Sequence, residues 1–256
     1  MHLIDRYAYT SRIRRIDPAQ KAALSGLVIV LCLVLDQPTV GMLAVIWMAA
    51  LAVVWAGVPG RVIGRVLLAE GLFLVLAVVG VVLSFSTAPP PPAFQGIRVG
   101  SLWVSTSAGS LGLAALLVSR ALGCAAAMNF LALTTPLVDI VELLRRLRVP
   151  PVLIDLMSVM YRFVFVLLES MQRMHTAQQS RLGYATRRAA MRSSGLLASR
   201  MFIDAYQRST RMQTALESRG YSGDLRVLSP AYRHDARIYW LGAAVTGSLL
   251  LAWWLS

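Results

Sequence analysis

Acidic residues and lysine are scarce in this chain. Its 256 residues include 25 basic but only 12 acidic side chains, so the formal net charge is +13 at pH 7, and Lys21 is the single lysine. Charged residues make up 14% of the chain, whereas soluble domains average about 25%. This scarcity, together with 57% hydrophobic residues and a mean hydropathy of +0.64, argues against an ordinary soluble domain and predicts a membrane protein.

Residues that carry chemistry are equally scarce. A P-loop needs lysine in a Gly-x-x-x-x-Gly-Lys-Ser/Thr motif, and Lys21 does not follow such a motif. The two cysteines, Cys32 and Cys124, stand in apolar runs and are interpreted as buried hydrophobes. Histidines are scattered, and no carboxylate pair or catalytic triad is evident. We therefore expect no ATP hydrolysis by this chain, no catalytic residues, no metal site and no cofactor.

Five apolar runs predict membrane-spanning helices, so the predicted fold class is an all-α polytopic integral membrane protein, with a further helical region outside the membrane. The first run has only 14 residues and is marginal for a core about 30 Å thick. "STAPPPPAFQG", between the third and fourth runs, is predicted to be a loop because four prolines cannot continue a helix. The runs are Ala22–Leu35, Val40–Gly57, about Val66–Phe85, about Ala108–Thr134, and Ile238–Leu251.

Arginines orient these spans. Alternate connections are basic, and sixteen arginines lie between Arg145 and Arg237. The positive-inside rule then places the N-terminus and residues 136–236 in the cytoplasm and the C-terminus outside. The expected location is a bacterial inner membrane. Pro151–Leu168 is apolar enough to compete as a span, but Asp155 and Arg162 within it each cost about 2.5–3.5 kcal/mol near a membrane centre. We interpret it as a helix along the membrane base. The predicted domains are 1–135, 136–226 and 227–256.

The cytoplasmic region carries two similar basic boxes. A short amphipathic helix is predicted over Leu137–Leu147, then one of about thirty residues from Pro151 and another over about Ser194–Ser218. The boxes, "SRLGY" and "SRGYSG", follow the two long helices. One interpretation is simple helix termination, because glycine ends helices and arginine favours a helix C-terminus. The other is a bidentate grip on an acidic partner through two arginines.

At these residues the sequence resembles a known family, the transmembrane T component of energy-coupling factor transporters in its cobalt-type CbiQ branch. The resemblance rests on "RIDPAQKAAL", Arg120, "TTPLVDIVELLRRLRVP", "MYRFVFVLLESMQRMHTAQQSRLGY" and "ALESRGYSG". It implies an ATP-driven importer in which two Ala-Arg-Gly motifs dock on two ATP-binding cassette ATPase subunits. Motion then passes to a separate substrate-capture membrane subunit, the S component. Cobalt follows from the branch alone, and nickel or a vitamin stays open.

Carried over to this chain, the resemblance makes Arg181 and Arg219 the ATPase-coupling residues. The supporting residues are Ser180, Gly183, Ser218 and Gly220. Serine replaces alanine in both boxes, and Leu182 stands where the first box of the family has glycine, which places Gly183 one position late.

Two charged residues fall inside predicted spans, Glu70 in the third and Arg120 in the fourth. Because unpaired charges are costly there, we expect them to pair with each other, or a cytoplasmic carboxylate to reach Arg120. The alternative is that Arg120 caps loop carbonyls.

The basic cytoplasmic face predicts contact with anionic membrane lipid. Nucleic acid is not an expected partner, because positive-inside bias already explains the charge and stacking aromatics are lacking. An alternative function stays open, that of an integral-membrane enzyme or scaffold whose basic face binds an acidic partner or phospholipid.

Overall fold

In the computed structural model, the described residues are 3–82, 84–86, 95–99, 102–106, 108–221 and 232–255. The helices are α1 (Leu3–Thr10), α2 (Pro18–Val34), α3 (Pro38–Ala50), α4 (Gly60–Val82), α5 (Ala108–Thr134), α6 (Leu137–Arg146), α7 (Pro151–Gln179), α8 (Arg187–Glu217) and α9 (Arg237–Leu255), and a π-helical segment, Leu51–Trp55, continues α3. The predicted all-α polytopic class is confirmed.

In addition to the helices there is a small antiparallel sheet, which was not predicted from the sequence. Its strands are β1 (Ser84–Ser86), β2 (Gln95–Val99) and β3 (Leu102–Thr106), in the order β1-β3-β2, with Phe85 and Ile97 both opposite Val104. The third predicted span therefore ends at Val82, before β1. Pro89–Pro92, the centre of the predicted proline loop, lie outside the described residues.

Two compact units make up the chain. One holds α6–α8, within residues 137–230, and the other holds α1–α5 and α9, within residues 2–136 and 231–256. The three-part division made from the sequence stays a prediction.

The larger unit packs around α5, and the backbones of α3 and α5 come close together. A Cβ atom added to Gly41 would overlap the carbonyl oxygen of Ser119, and one added to Gly123 would lie 3.1 Å from the carbonyl oxygen of Gly41. Glycine at these positions therefore lets the backbones touch, as small residues do between membrane helices. Val28, Val40, Ala44, Met48, Phe130, Val245 and Leu249 fill the core around this crossing.

Much of the apolar surface of this unit is not covered by protein. Leu68, Leu72, Phe73 and Leu76 on α4 are each more than 60% exposed. Within the described residues, five helices are long and apolar enough to cross a membrane, namely α3 with its π-helical continuation, α4, α5, α7 and α9, and α2 is a shorter apolar helix. The protein is therefore a multi-pass membrane protein whose exposed apolar faces suit lipid.

The smaller unit is built from α6 and an antiparallel pair, α7 and α8. One face of α8 is half-buried at helical spacing, including Leu197, Met201 and Ala205, as the sequence predicted. Leu196, also assigned to that face, is 55% exposed. Helix α8 begins at Arg187, seven residues before its predicted start, because Thr186 caps it by accepting a hydrogen bond from the Ala189 amide at 3.2 Å.

Candidate functional site: two arginine-bearing helix ends

The first box closes the C-terminus of α7. The Leu182 amide donates to the Gln179 carbonyl at 3.0 Å, and the Gly183 amide donates to the Gln178 carbonyl at 2.9 Å. Leu182 has a φ of 57°. This pairing, three and then five residues back around a left-handed residue, is the Schellman motif.

The second box closes α8 in the same way. The Gly220 amide donates to the Glu217 carbonyl at 3.0 Å, and the Tyr221 amide donates to the Leu216 carbonyl at 3.1 Å. Gly220 has a φ of 75°. The two boxes therefore share one backbone motif. The end of α6 has the same motif around Arg148, but only in the two boxes does an arginine immediately precede the left-handed residue.

This common backbone settles how the boxes correspond. Leu182 is the structural counterpart of Gly220, although a left-handed residue with a side chain costs about 1–2 kcal/mol. Gly183 is needed for a different reason. A Cβ atom there would lie 2.8 Å from both the Gln178 carbonyl oxygen and the Ser193 hydroxyl. The glycine of the first box therefore permits close packing, whereas Gly220 permits the turn.

Side chains brace the first box against the start of α8. The Ser193 hydroxyl donates to the Gly183 carbonyl at 2.8 Å, the Gln178 side chain donates to the Ser193 carbonyl at 3.1 Å, and the Tyr184 hydroxyl donates to the Gln178 side chain at 2.8 Å. The His175 and Tyr184 rings lie 4.8 Å apart. This network holds the backbone that carries Arg181 in one orientation.

Both arginines point to open surface. Arg181 and Arg219 are exposed, and within the described residues neither guanidinium has a hydrogen bond or ion pair. The neighbouring serines instead turn back to their own helices, Ser180 donating to the Ala177 carbonyl at 3.1 Å and Ser218 to the Thr214 carbonyl at 2.8 Å. The arginines are therefore the groups of the boxes that are free to meet a partner.

The two boxes lie far apart. Ser193, which contacts the first box, is separated from Arg219 by 26 positions, roughly 40 Å along an α-helix. One compact pocket cannot receive both arginines, so the arrangement suits two separate acceptor sites.

The predicted pairing of Glu70 with Arg120 is wrong. Arg120 forms an ion pair with Asp36, and Glu70 accepts two hydrogen bonds of 2.9 Å from the Asn129 side chain. The reason is position along α5, because Asn129 lies nine residues beyond Arg120, roughly 14 Å along the axis. The partner of Arg120 is also not a cytoplasmic carboxylate by the predicted orientation, since Asp36 follows the first span.

Lys21 is a buried residue to which the sequence reading gave no role. It is 0% exposed, and its Nζ donates to the Thr134 carbonyl at 3.1 Å and to the Ile13 carbonyl at 3.4 Å. It thus ties the start of α2 to the end of α5 and to the segment before α2. The sequence does mark this residue as unusual, since Lys21 is the only lysine and stands three residues after Pro18, in the first turns of α2.

No cluster of three or more histidine, cysteine, aspartate or glutamate side chains that could hold a metal ion occurs in the described part of the chain. The candidate site is a pair of exposed cationic side chains, Arg181 and Arg219.

A family profile described as cobalt transport protein, CbiQ, matches residues 10–229. This match takes in α2 through α8, including both boxes. The chain belongs to the CbiQ family of cobalt transport proteins. The family consists of transport components and not of enzymes, and as a member this chain is a membrane component of cobalt transport.

Individual CbiQ relatives agree with the profile. CbiQ of Salmonella typhimurium is 27% identical over 234 residues, 88% of this chain and 99% of that protein. CbiQ of Rhodobacter capsulatus is 44% identical over 116 residues, 45% of this chain and 48% of that protein. A putative fused cobalt transport protein CbiMQ of Methanocorpusculum labreanum is 29% identical over 223 residues, 87% of this chain but 37% of that protein. This chain thus spans little more than a third of the fused relative.

Proposed function

We propose that this CbiQ-family chain is the coupling component of an ATP-driven, energy-coupling-factor type importer for cobalt ions. Arg181 and Arg219 dock on two ATP-binding cassette ATPase subunits, and α7 and α8 carry their movement to the membrane-embedded part of the transporter. The observation that supports this proposal most is the repeated Schellman end, which presents an exposed arginine at the same backbone position twice.

Helix termination alone does not require this repetition. A Schellman end is complete with any residue before the left-handed position, yet both ends place there an arginine without an intramolecular partner in the described residues. A planar guanidinium matches a carboxylate with two parallel hydrogen bonds. An acidic groove on each ATPase subunit is therefore the partner chemistry that fits, and the separation of roughly 40 Å along α8 fits two subunits better than one.

A separate substrate-capture membrane subunit is the second proposed partner. The fused CbiMQ relative joins a CbiM part to a CbiQ part in one chain, as expected of two proteins that work side by side in the membrane. In this proposal the α6–α8 unit and the N-terminus face the cytoplasm, where the ATPases are, in a bacterial inner membrane.

The test removes the arginines one at a time. Arg219→Ala and Arg181→Ala are each expected to weaken ATPase binding by about 2–5 kcal/mol, roughly 30-fold to several-thousand-fold in affinity. The double variant should lose the ATPases from the purified complex while staying folded and inserted. Recovery of ATPase subunits and ATP-driven cobalt uptake are measured together.

Matched controls separate docking from helix termination. Arg192→Ala removes an exposed arginine from the first turns of α8 without touching either box and should leave ATPase recovery unchanged. Arg219→Lys should weaken docking because lysine lacks the planar fork, whereas lysine serves a helix C-terminus as well as arginine does. If the double alanine variant keeps the ATPases and full uptake, the boxes are only helix ends. Purification without ATPases but with lipid-directed turnover would support the alternative enzyme function.

A further inference from the structure

The groove between the end of α3 and the start of α9 is the strongest candidate for a second binding site. It encloses about 540 Å³ and is lined almost entirely by apolar side chains. Trp47, Trp55 and Trp240 contribute three of the six tryptophans of the chain. Tryptophan concentrates where hydrocarbon meets headgroups in a bilayer, so this groove has the side chains of a membrane–water boundary.

The π-helical segment forms one wall of the groove. The Ala56 amide closes this wider turn by donating to the Leu51 carbonyl at 3.0 Å. Val54, within the segment, is 76% exposed, and Trp240 across the groove is 79% exposed. A π turn is rare and often stands at functional positions, and here it sets large apolar side chains along an open cleft.

A positively charged side chain, that of Arg237, lies at one end of the groove. Arg237 lines it and precedes Trp240 by three residues, so the guanidinium lies roughly one helical turn further toward the start of α9. Asp235 accepts a hydrogen bond from the backbone amide of Arg237 at 3.0 Å. Within the described residues the guanidinium itself has neither a hydrogen bond nor an ion pair.

Two further arginines have their backbones near this end of the groove. The Arg12 amide donates to the carbonyl of Ala56, directly after the π-helical segment, at 3.1 Å. Arg233 lies four residues before Arg237 and donates its amide to the Arg15 carbonyl at 2.9 Å. An apolar cleft with the Arg237 side chain at one end complements a molecule with an acyl chain and an anionic head.

We propose that this groove binds one anionic phospholipid, with an acyl chain along Trp47, Val54 and Trp240 and the phosphate on Arg237. Large side chains line the cleft, whereas membrane helices pack through small ones, so a flexible chain fits better than a partner helix. The proposal rests on the membrane insertion of this unit and not on the coupling role of the arginine boxes.

Quenching of tryptophan fluorescence by lipids with brominated acyl chains tests this site in the full-length protein. Trp103, Trp253 and Trp254 are replaced by phenylalanine, so that the tryptophan fluorescence comes from Trp47, Trp55 and Trp240 of the groove. Brominated phosphatidylglycerol and brominated phosphatidylcholine are each titrated in nanodiscs over the same range of mole fractions. The anionic lipid should quench at about fivefold lower mole fraction, the factor that corresponds to ~1 kcal/mol for one arginine near a lipid headgroup. Arg237→Gln should abolish this preference.

Two matched variants separate the groove from general attraction to the membrane. Arg61→Gln removes an exposed arginine at the start of α4, outside the groove, and should keep the preference. Ala50→Phe fills the groove with Arg237 intact and should reduce quenching by phosphatidylglycerol. Equal quenching by both lipids, an equal effect of Arg61→Gln, or no effect of Ala50→Phe would overturn the proposal. So would loss of quenching on assembly with partner subunits, because a partner helix would then occupy the groove.

Discussion

Leu182 and Gly220 occupy the same position in the two helix ends, yet only Gly220 is suited to it. The left-handed backbone at Leu182 brings its Cβ close to the neighbouring carbonyl, and the side chain is 76% exposed and thus gains little from packing. The network around Gly183 and Ser193 holds this conformation. The first box therefore retains the backbone of an Arg-Gly pair without its glycine.

Leu182→Gly should stabilise the end of α7. The substitution removes the steric strain of a side chain in the left-handed conformation, which costs about 1–2 kcal/mol. Glycine also makes the unfolded chain more flexible, and this opposes the gain by about 0.4–1 kcal/mol. A net gain of about 0.5–1 kcal/mol is expected, seen as slower hydrogen exchange of the Gly183 amide, with ATPase recovery retained. Leu196→Gly is the matched control. It replaces an exposed leucine inside α8 and should cost about 1 kcal/mol. Faster exchange in Leu182→Gly would contradict this account of the strained position.

The charged residues within spans show where residue-level prediction failed. Composition correctly indicated that Glu70 and Arg120 need partners, but a partner depends on depth along neighbouring helices. Asn129 and Asp36 supply those partners. Residue type alone did not identify either partner, because a neutral amide within a span and a carboxylate in a loop are both ordinary in a membrane protein sequence. Lys21, in contrast, was identifiable as unusual, and only the fold shows which carbonyls it meets.

At the scale of helices, the ends that proline and glycine define were predictable and those that side-chain caps define were not. Helices α5 and α7 end or begin at the predicted residues, and α6 ends within one residue of its prediction. The start of α8 was predicted too late. Thr186 is followed by two arginines, and the first turns of α8 lack the apolar residues at helical spacing that would indicate a helix. Strands β2 and β3 were missed although Gly100-Ser101 separates two five-residue segments, a spacing typical of a hairpin. The prediction from the sequence was based on the long apolar runs, and these short strands lie outside such runs.

One carboxylate links the two long helices of the smaller unit. Asp204 on α8 accepts hydrogen bonds from the Ser170 hydroxyl on α7 at 2.9 Å and from Arg208 at 3.0 Å. The Ser170 bond, and then Arg208, hold the pKa of Asp204 below its usual value. The ionised form is thus favoured in the folded protein. Its contribution is present above the unfolded pKa, about 3.9, and is lost as the pH falls through the lower folded pKa.

Asp204→Asn should therefore loosen α8 from α7 at pH 7, and the loss should shrink toward pH 3, as the pH approaches the lowered pKa of the wild-type carboxyl. Limited proteolysis of the α7–α8 pair at the two pH values measures this. Glu169→Gln is the control, since Glu169 pairs with Arg173 at 2.7 Å along one helix and both side chains are mostly exposed. Such pairs contribute little. Equal proteolysis of both variants at pH 7 would mean that Asp204 does not join the helices.

At the scale of the whole molecule, the number of membrane crossings depends on α2 and α7. Helix α2 has 17 residues, roughly 26 Å in length, slightly short of a core about 30 Å thick. Helix α7 has 29 residues and is apolar enough to cross, but Asp155 and Arg162 would each cost about 2.5–3.5 kcal/mol near a membrane centre. Local thinning of the bilayer accommodates a short helix at a fraction of that cost. Crossing by α2 and not by α7 is therefore favoured.

Reporter tags after Pro92 and after Leu225, both outside the described residues, test this topology together. If α2, α3, α4 and α5 cross and α7 does not, Pro92 follows three crossings and Leu225 follows four. The tag after Pro92 should then read external and the tag after Leu225 cytoplasmic, on the side of the N-terminus. If α7 crosses as well, the tag after Leu225 reads external. If α7 crosses in place of α2, Leu225 still reads cytoplasmic, but Pro92 follows only two crossings and reads cytoplasmic too. An external reading at Leu225 would also place at least one of Arg181 and Arg219 on the external side of the membrane. Docking on cytoplasmic ATPases through both boxes would then be ruled out.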